Sequence, residues 1–345
     1  MKKHIHGGDV YRHQNVIDFS ANCNPLGTPA SVKRAVAESM EQVYHYPDVR
    51  CQNLRDALSV YEGVPADWII CGNGAADLIF SLVLALKPKR ALVPAPTFAE
   101  YEQALESVGC QVLHAPGREE DGFAVDQALL QAIDDTIDIL FLCNPNNPTG
   151  ILTEPERLEQ VMDACRRHGV FLVLDECFLD FVCSPGKYTQ KASLENRKDL
   201  FILKAFTKRY AMAGIRLGYG LCSSQDLLEK MKEVTQPWNV STLAQAAGIA
   251  ALKEKEYVAR ATELIHRERG FLKEKMREAG LQVYDSQANY IFFKGPENLQ
   301  ELCLQEGILI RDCGNYYGLA RGYYRIAVRT HEENLTLMRA FEKVL

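Results

Sequence analysis

The sequence predicts an α/β protein: a mostly parallel sheet covered by helices, followed by a smaller α+β unit. Three observations predict it. Between Trp68 and Leu221, short apolar runs of strand length alternate with helical stretches. After Pro237 that alternation gives way to a long helical region and then to closely spaced strand candidates. The chain has 345 residues, which leaves room for about two domains at roughly 150 residues each.

Strands are expected at Trp68–Cys71, Arg90–Val93, Ile137–Cys143, Val170–Leu174, Leu200–Lys204 and Leu217–Leu221, with helices such as Glu154–His168 between several of them. Their continuous apolar character suits strands covered on both faces. Helix is expected over about Ser241–Ala279, then strands at Leu281–Tyr284, Tyr290–Phe293, Ile308–Arg311 and Tyr324–Val328, and a last helix from about Glu332. Residues 1–42 carry no strong sheet pattern and are expected as an arm on the second unit. The division is therefore 1–42, 43–236 for the large domain and 237–345 for the small one.

Composition excludes several classes. With 47% hydrophobic and 24% charged residues the chain is neither disordered nor fibrous. Lys and Arg total 39 against 45 Asp and Glu, a net charge of −6 with no long basic run, which argues against nucleic acid or an anionic membrane as partner. No apolar run approaches the roughly 20 residues of a membrane span. Met1-Lys2-Lys3 leads into His4-Ile5-His6 without a signal-peptide core, so the cytoplasm is the expected location. The eleven cysteines form no C-x-x-C pair and no cluster of zinc spacing. They are expected to be buried thiols, and no metal site is expected.

Four segments carry chemistry. Cys71-Gly72-Asn73-Gly74-Ala75-Ala76-Asp77 places a glycine turn between a strand and an apolar helix, where free backbone N–H groups and the helix dipole favour a phosphate. A tight turn without ligand is the plain alternative, because G-x-G is too short for a dinucleotide fingerprint. Asn144-Pro145-Asn146-Asn147-Pro148-Thr149-Gly150 fixes an irregular loop at the carboxyl end of a strand, the edge where open α/β sheets bind ligands. Leu172-Val173-Leu174-Asp175-Glu176 ends a hydrophobic strand in two carboxylates, which need a cationic or proton-donating partner if buried; Asp175 could equally cap a helix. Finally, Leu203-Lys204-Ala205-Phe206-Thr207-Lys208 places Lys208 just after one strand, and Arg216 lies eight residues later at the start of the next. A lysine in a cleft can form a Schiff base and an arginine can hold a phosphate, although a lone lysine is usually solvated.

Together these groups meet the needs of pyridoxal 5′-phosphate. With N-P-N-N-P-T-G, D-E and T-K…G-I-R-L-G-Y in one chain, the sequence resembles the fold type I pyridoxal-phosphate enzymes of the histidinol-phosphate aminotransferase-like branch. The resemblance spans nearly the whole chain and implies a mostly parallel seven-stranded sheet between helices plus a smaller α+β domain. It implies that Lys208 carries the cofactor and that Asp175 pairs with the pyridine N–H. Asn147 would bond the phenolic oxygen, Phe98 would stack on the ring, and Gly74, Ala75, Ala76, Thr207 and Arg216 would hold the phosphate. Tyr46 matches the tyrosine that reaches that phosphate from the neighbouring subunit, which implies a homodimer with shared sites. Arg325, with Arg311 as a second cation, matches the clamp on the substrate's acidic group.

One departure is informative. Aminotransferases of this branch usually carry tyrosine three residues after the ring-pairing aspartate, and this chain has Phe178. The segments His6-Gly7-Gly8-Asp9, Asp18–Gly27, Asp175–Phe178 and Ile310–Leu319 resemble instead the L-threonine O-3-phosphate decarboxylase family, although position 9 is Asp where Asn is expected. That resemblance implies decarboxylation to (R)-1-aminopropan-2-yl phosphate for cobalamin biosynthesis, with His6, Gly7, Gly8 and Asn24 near the substrate phosphate. A transaminase acting on histidinol phosphate or a related amino acid is the alternative.

Overall fold

A computed structural model describes residues 6–13 and 15–345. The leading residues 1–5, read above as holding no export signal, lie outside the described residues. The chain opens with strand β1 (Ile17–Asp18) and helices α1 (Ala30–Ser39) and α2 (Gln52–Glu62), then enters the large sheet with β2 (Ile69–Gly72). There follow α3 (Ala75–Leu86), β3 (Arg90–Ala95), α4 (Glu100–Ser107), β4 (Gln111–Pro116), α5 (Gln127–Ala132), β5 (Ile139–Cys143), α6 (Pro155–His168) and β6 (Phe171–Asp175). β7 (Leu200–Ala205), the one-turn α7 (Phe206–Arg209) and β8 (Gly218–Leu221) complete it.

The seven strands lie in the order β2-β8-β7-β6-β5-β3-β4. β8 alone runs against its neighbours, and the other pairs are parallel. β5 and β7 are buried along their whole length. Alternation along β5 sends Ile139, Phe141 and Cys143 into one apolar cluster, with Leu82 and Val83 of α3, and Leu140 and Leu142 into the other, with Leu158 and Val161 of α6. An all-apolar strand is what a sheet covered on both faces requires. α6 starts on Pro155 and stops at Gly169, whose φ of +67° ends the helix without strain.

Beyond β8 come α8 (Gln225–Val234), α9 (Thr242–Ala251), α10 (Lys255–Glu278), β9 (Gln282–Val283) and β10 (Tyr290–Lys294). The chain ends with α11 (Leu299–Gln305), β11 (Ile308–Leu309), β12 (Arg311–Asp312), β13 (Tyr323–Ala327) and α12 (His331–Val344). β12-β13-β10-β9 is an antiparallel sheet, and β1 pairs in parallel with β11.

Two details differ from the sequence expectation. The helical region after Pro237 is broken into α9 and α10, and α9 packs with α1 and α2 beside the large sheet, sharing a core of Val32, Leu54, Ala244 and Ala247. Gly248 allows that approach, since a Cβ there would fall 2.9 Å from Leu54 of α2. Within the first 42 residues, β1 joins β11 and α1 lies on α9. β4 was not expected, because as an edge strand its residues are only half-buried and include His114 and Pro116.

Candidate active site

The carboxyl ends of β5, β6 and β7 and the start of α3 converge on a cavity of about 330 Å³. Its other wall comes from the small sheet, through Arg311 and Arg325, and from His6, Gly7 and the turn Ser20–Asn22. It is the strand edge at which open α/β sheets bind ligands.

The turn before α3 is built to admit an anion. Gly74 has φ +84° and lies against the Arg216 guanidinium, so closely that a Cβ would fall 2.4 Å from Nη2. Arg216 itself adopts φ +60° and donates from Nη1 to the Ala213 carbonyl at 3.3 Å. Ala75 and Ala76 open the helix and line the cavity, leaving first-turn N–H groups that have no intrahelical acceptor. Asp77 is turned aside, accepting from the Asn73 N–H at 3.0 Å and from Asn239 Nδ2 at 2.7 Å.

Asp175 ends β6, 5% exposed. Its Oδ2 accepts from the Tyr101 hydroxyl at 2.5 Å and its Oδ1 from the Cys177 N–H at 2.9 Å. Burial pushes its carboxyl above the usual range, against the hydrogen bonds of Cys177 and Tyr101 and the charge of Lys208. A buried carboxylate so placed gains from a cationic N–H donor. Lys208 stands on the single turn after β7 and lines the same cavity, with Phe98 and Thr207.

The Asn-rich loop is held by its own side chains. Asn146 Nδ2 donates to the Pro96 carbonyl at 2.9 Å, and Thr97 donates to Asn146 Oδ1 at 2.8 Å. That leaves Asn147, 5% exposed, facing the cavity, where its Oδ1 accepts from Arg325 Nη1. Arg325 Nη2 donates to the Ser20 carbonyl at 3.0 Å, while Nε is buried without a partner among the described residues. Arg311 donates to Asn315 Oδ1 at 2.9 Å and lies over the Tyr316 ring.

Lys208 and Lys204 separate cleanly. Lys204 points into a buried ion-pair network, 3.1 Å from Glu176 Oε2 and 3.9 Å from Glu62 Oε1, and does not line the cavity. Most expected residues meet in the cavity, and four do not. Gly74 and Gly8 act through the backbone: Gly8, at φ +86°, donates its N–H to Ser20 Oγ at 2.7 Å. Asn24 does not line the cavity. Its N–H and Nδ2 are spent on the carbonyls of Lys208 and Arg209, at 3.0 and 2.8 Å, which fixes the lysine turn. Tyr46 is 78% exposed and stacks on Trp238 with centroids 4.4 Å apart, outside its own chain's cavity. Glu100, Tyr101 and Tyr316 were not expected; Tyr101 could have been found one helical turn from Phe98. The cysteines also need correction: Cys183 is exposed and Cys23 and Cys71 are half-buried.

The cavity fits pyridoxal 5′-phosphate. The notch over Gly74, the α3 N–H groups and Arg216 would take the phosphate. Asp175 would face the ring N–H, Phe98 the ring, Asn147 the phenolic oxygen and Lys208 the aldehyde.

Comparison with known proteins agrees. The family model for aminotransferase class I and II matches residues 14–341. Threonine-phosphate decarboxylase of Salmonella typhimurium is 38% identical, covering 99% of this chain and 96% of its own. Histidinol-phosphate aminotransferase of Moorella thermoacetica is 31% identical over 96% of this chain and 86% of its own. The crystal structure of histidinol-phosphate aminotransferase from Clostridium acetobutylicum superposes with a TM-score of 0.88 at 30% identity, covering 94% of this chain and 98% of that one.

Proposed function

We propose, from the premise that this chain belongs to the aminotransferase class I and II family and is a pyridoxal-phosphate-dependent enzyme, that it decarboxylates L-threonine O-3-phosphate. The product is (R)-1-aminopropan-2-yl phosphate, a precursor for cobalamin. The observation that carries the reading is the number of separate cationic groups in one cavity. Besides Arg216 at the cofactor phosphate, Arg325 lies beside Asn147 and Ser20, and Arg311 lies with His6 near Tyr316. A substrate bearing both carboxylate and phosphate needs two such sets.

When bound, pyridoxal 5′-phosphate supplies an electron sink for negative charge at the substrate α-carbon. The chain's own residues choose which bond breaks by orienting it. Arg325 would anchor one acidic group and His6 with Arg311 the other. Lys208 Nζ faces the cavity and would carry the proton. Asp175, dry and held by Tyr101 and Cys177, would keep a cationic N–H in place. Phe178 packs edge-on against Tyr290, with ring centroids 5.0 Å apart at 82°, and offers no hydroxyl where the aminotransferases of the branch usually have one.

The active unit is a homodimer in the cytoplasm. Exposed Met40, Val43, Tyr44, Tyr46 and Val49, with exposed Trp238 stacked on Tyr46, support the first, being an apolar surface that suits a partner. Eleven cysteines without a disulfide support the second.

A product assay tests the reading. Holoenzyme given L-threonine O-3-phosphate releases CO₂ without forming glutamate. Glutamate formed from 2-oxoglutarate and histidinol phosphate, with no CO₂ from threonine phosphate, contradicts it.

A further inference from the structure

Glu100 is the one acidic side chain besides Asp175 that lines the cavity among the described residues, and the chemistry above has no use for it. It opens α4 and is 9% exposed. Oε1 lies 3.0 Å from His6 Nδ1, whereas Oε2 is buried with no partner among the described residues. A carboxylate in a cavity meant for anions opposes their binding, and an orphaned oxygen adds to its cost. Its presence calls for a compensating role.

We propose that Glu100 is a positioning residue, holding His6 as an imidazolium against the phosphate end of the substrate. The inference rests on the proposed function and deepens it.

Two further features fit. The backbone beside His6 is fixed independently: a Cβ on Gly7 would fall 2.3 Å from the Ser20 carbonyl oxygen, and the Gly8 N–H is bonded to Ser20 Oγ. Ser20 is in turn held by Asp18 Oδ1, at 2.8 Å from its N–H and 2.6 Å from its hydroxyl. The segment is therefore pinned at its backbone by the Ser20 turn and at its imidazole by Glu100. The charged groups that face His6 are Glu100 from α4 and Arg311 from β12. The hydrogen bond to Glu100 raises the imidazole above its ordinary value, against desolvation and the repulsion of Arg311. With Nδ1 engaged, an imidazolium keeps Nε2–H for an anion, which neutral imidazole bonded to Glu100 offers only as an acceptor.

The test compares wild-type holoenzyme with Glu100→Gln in three readouts. The His6 ring proton, followed by NMR, titrates lower in the variant, because the hydrogen bond that raises it is lost. KM for L-threonine O-3-phosphate is close to wild type near pH 6 and rises by about tenfold near pH 8, a larger change than any fall in kcat. Inorganic phosphate, as a competitive inhibitor, weakens with the same pH dependence, and Glu100→Asp restores part of each effect. Unchanged titration and KM profiles overturn the proposal. So does tighter phosphate binding at every pH, the result of merely removing a negative charge. A uniform loss of kcat with a lowered melting temperature assigns Glu100 to the helix start instead and also overturns it. If wild-type enzyme leaves threonine phosphate unchanged, the proposed function fails, while the His6 titration still decides the pairing with Glu100.

Discussion

Lys204 and Lys208 lie four residues apart on either side of the end of β7, and burial divides their work. Lys204 is committed to Glu176 and Glu62; Lys208 opens onto the cavity. Lys208→Ala is expected to abolish turnover with the fold intact by circular dichroism. Lys204→Met leaves buried Glu176 without a cation, held only by the Thr189 hydroxyl and the Gln190 N–H, and urea unfolding should show a loss of about 3 kcal/mol. Equal stability for wild type and Lys204→Met would place that network in solvent. Asp175→Asn should lower kcat far more than cofactor affinity, since the amide keeps the shape and loses the charge. At this scale the sequence was legible wherever a residue type has one chemical use, as with Lys208, Asp175 and Asn147. It was not legible for Asn24, because nothing local shows that its side-chain amide reaches a carbonyl 185 residues away. Glu100 was hidden likewise, its partner His6 lying 94 residues earlier.

Among the elements, those that carry the site were the most readable. β5 is an unbroken apolar run, β6 is apolar up to Asp175 and β7 up to Lys204, and their ends place the Asn loop, Asp175 and Lys208 on one edge. β4 escaped because an edge strand has one paired side and a half-wet face. The neighbours of α9 were not legible, because an alanine-rich apolar helix gives no sign of which element it packs on. The α3 start makes a measurable prediction. Gly74→Ala needs φ +84° of a residue with a Cβ and drives that Cβ into Arg216. Cofactor affinity should fall by about tenfold or more, equivalent to at least about 1.4 kcal/mol, as measured by titrating apoenzyme. Unaltered affinity would show that the phosphate sits elsewhere.

Across the whole molecule, two sheets meet at the cavity: the large one brings Asp175, Lys208 and Arg216 to it and the small one Arg311 and Arg325. Substrate affinity should therefore depend on pH through His6. Its folded value is raised, so the cation persists above the ordinary histidine range and is lost as pH rises through that value; KM should climb on the alkaline side and stay flat below. The apolar surface around Tyr46 and Trp238 predicts a dimer in sedimentation. Trp238→Glu should give monomers with weakened cofactor binding, and a wild-type monomer of full activity would remove the shared site.

The most direct measurement is borohydride reduction of the holoenzyme followed by peptide mapping. The account predicts one modified lysine, Lys208, with the label lost in Lys208→Ala. Label on Lys204, or no label on a chain that has taken up cofactor, contradicts it.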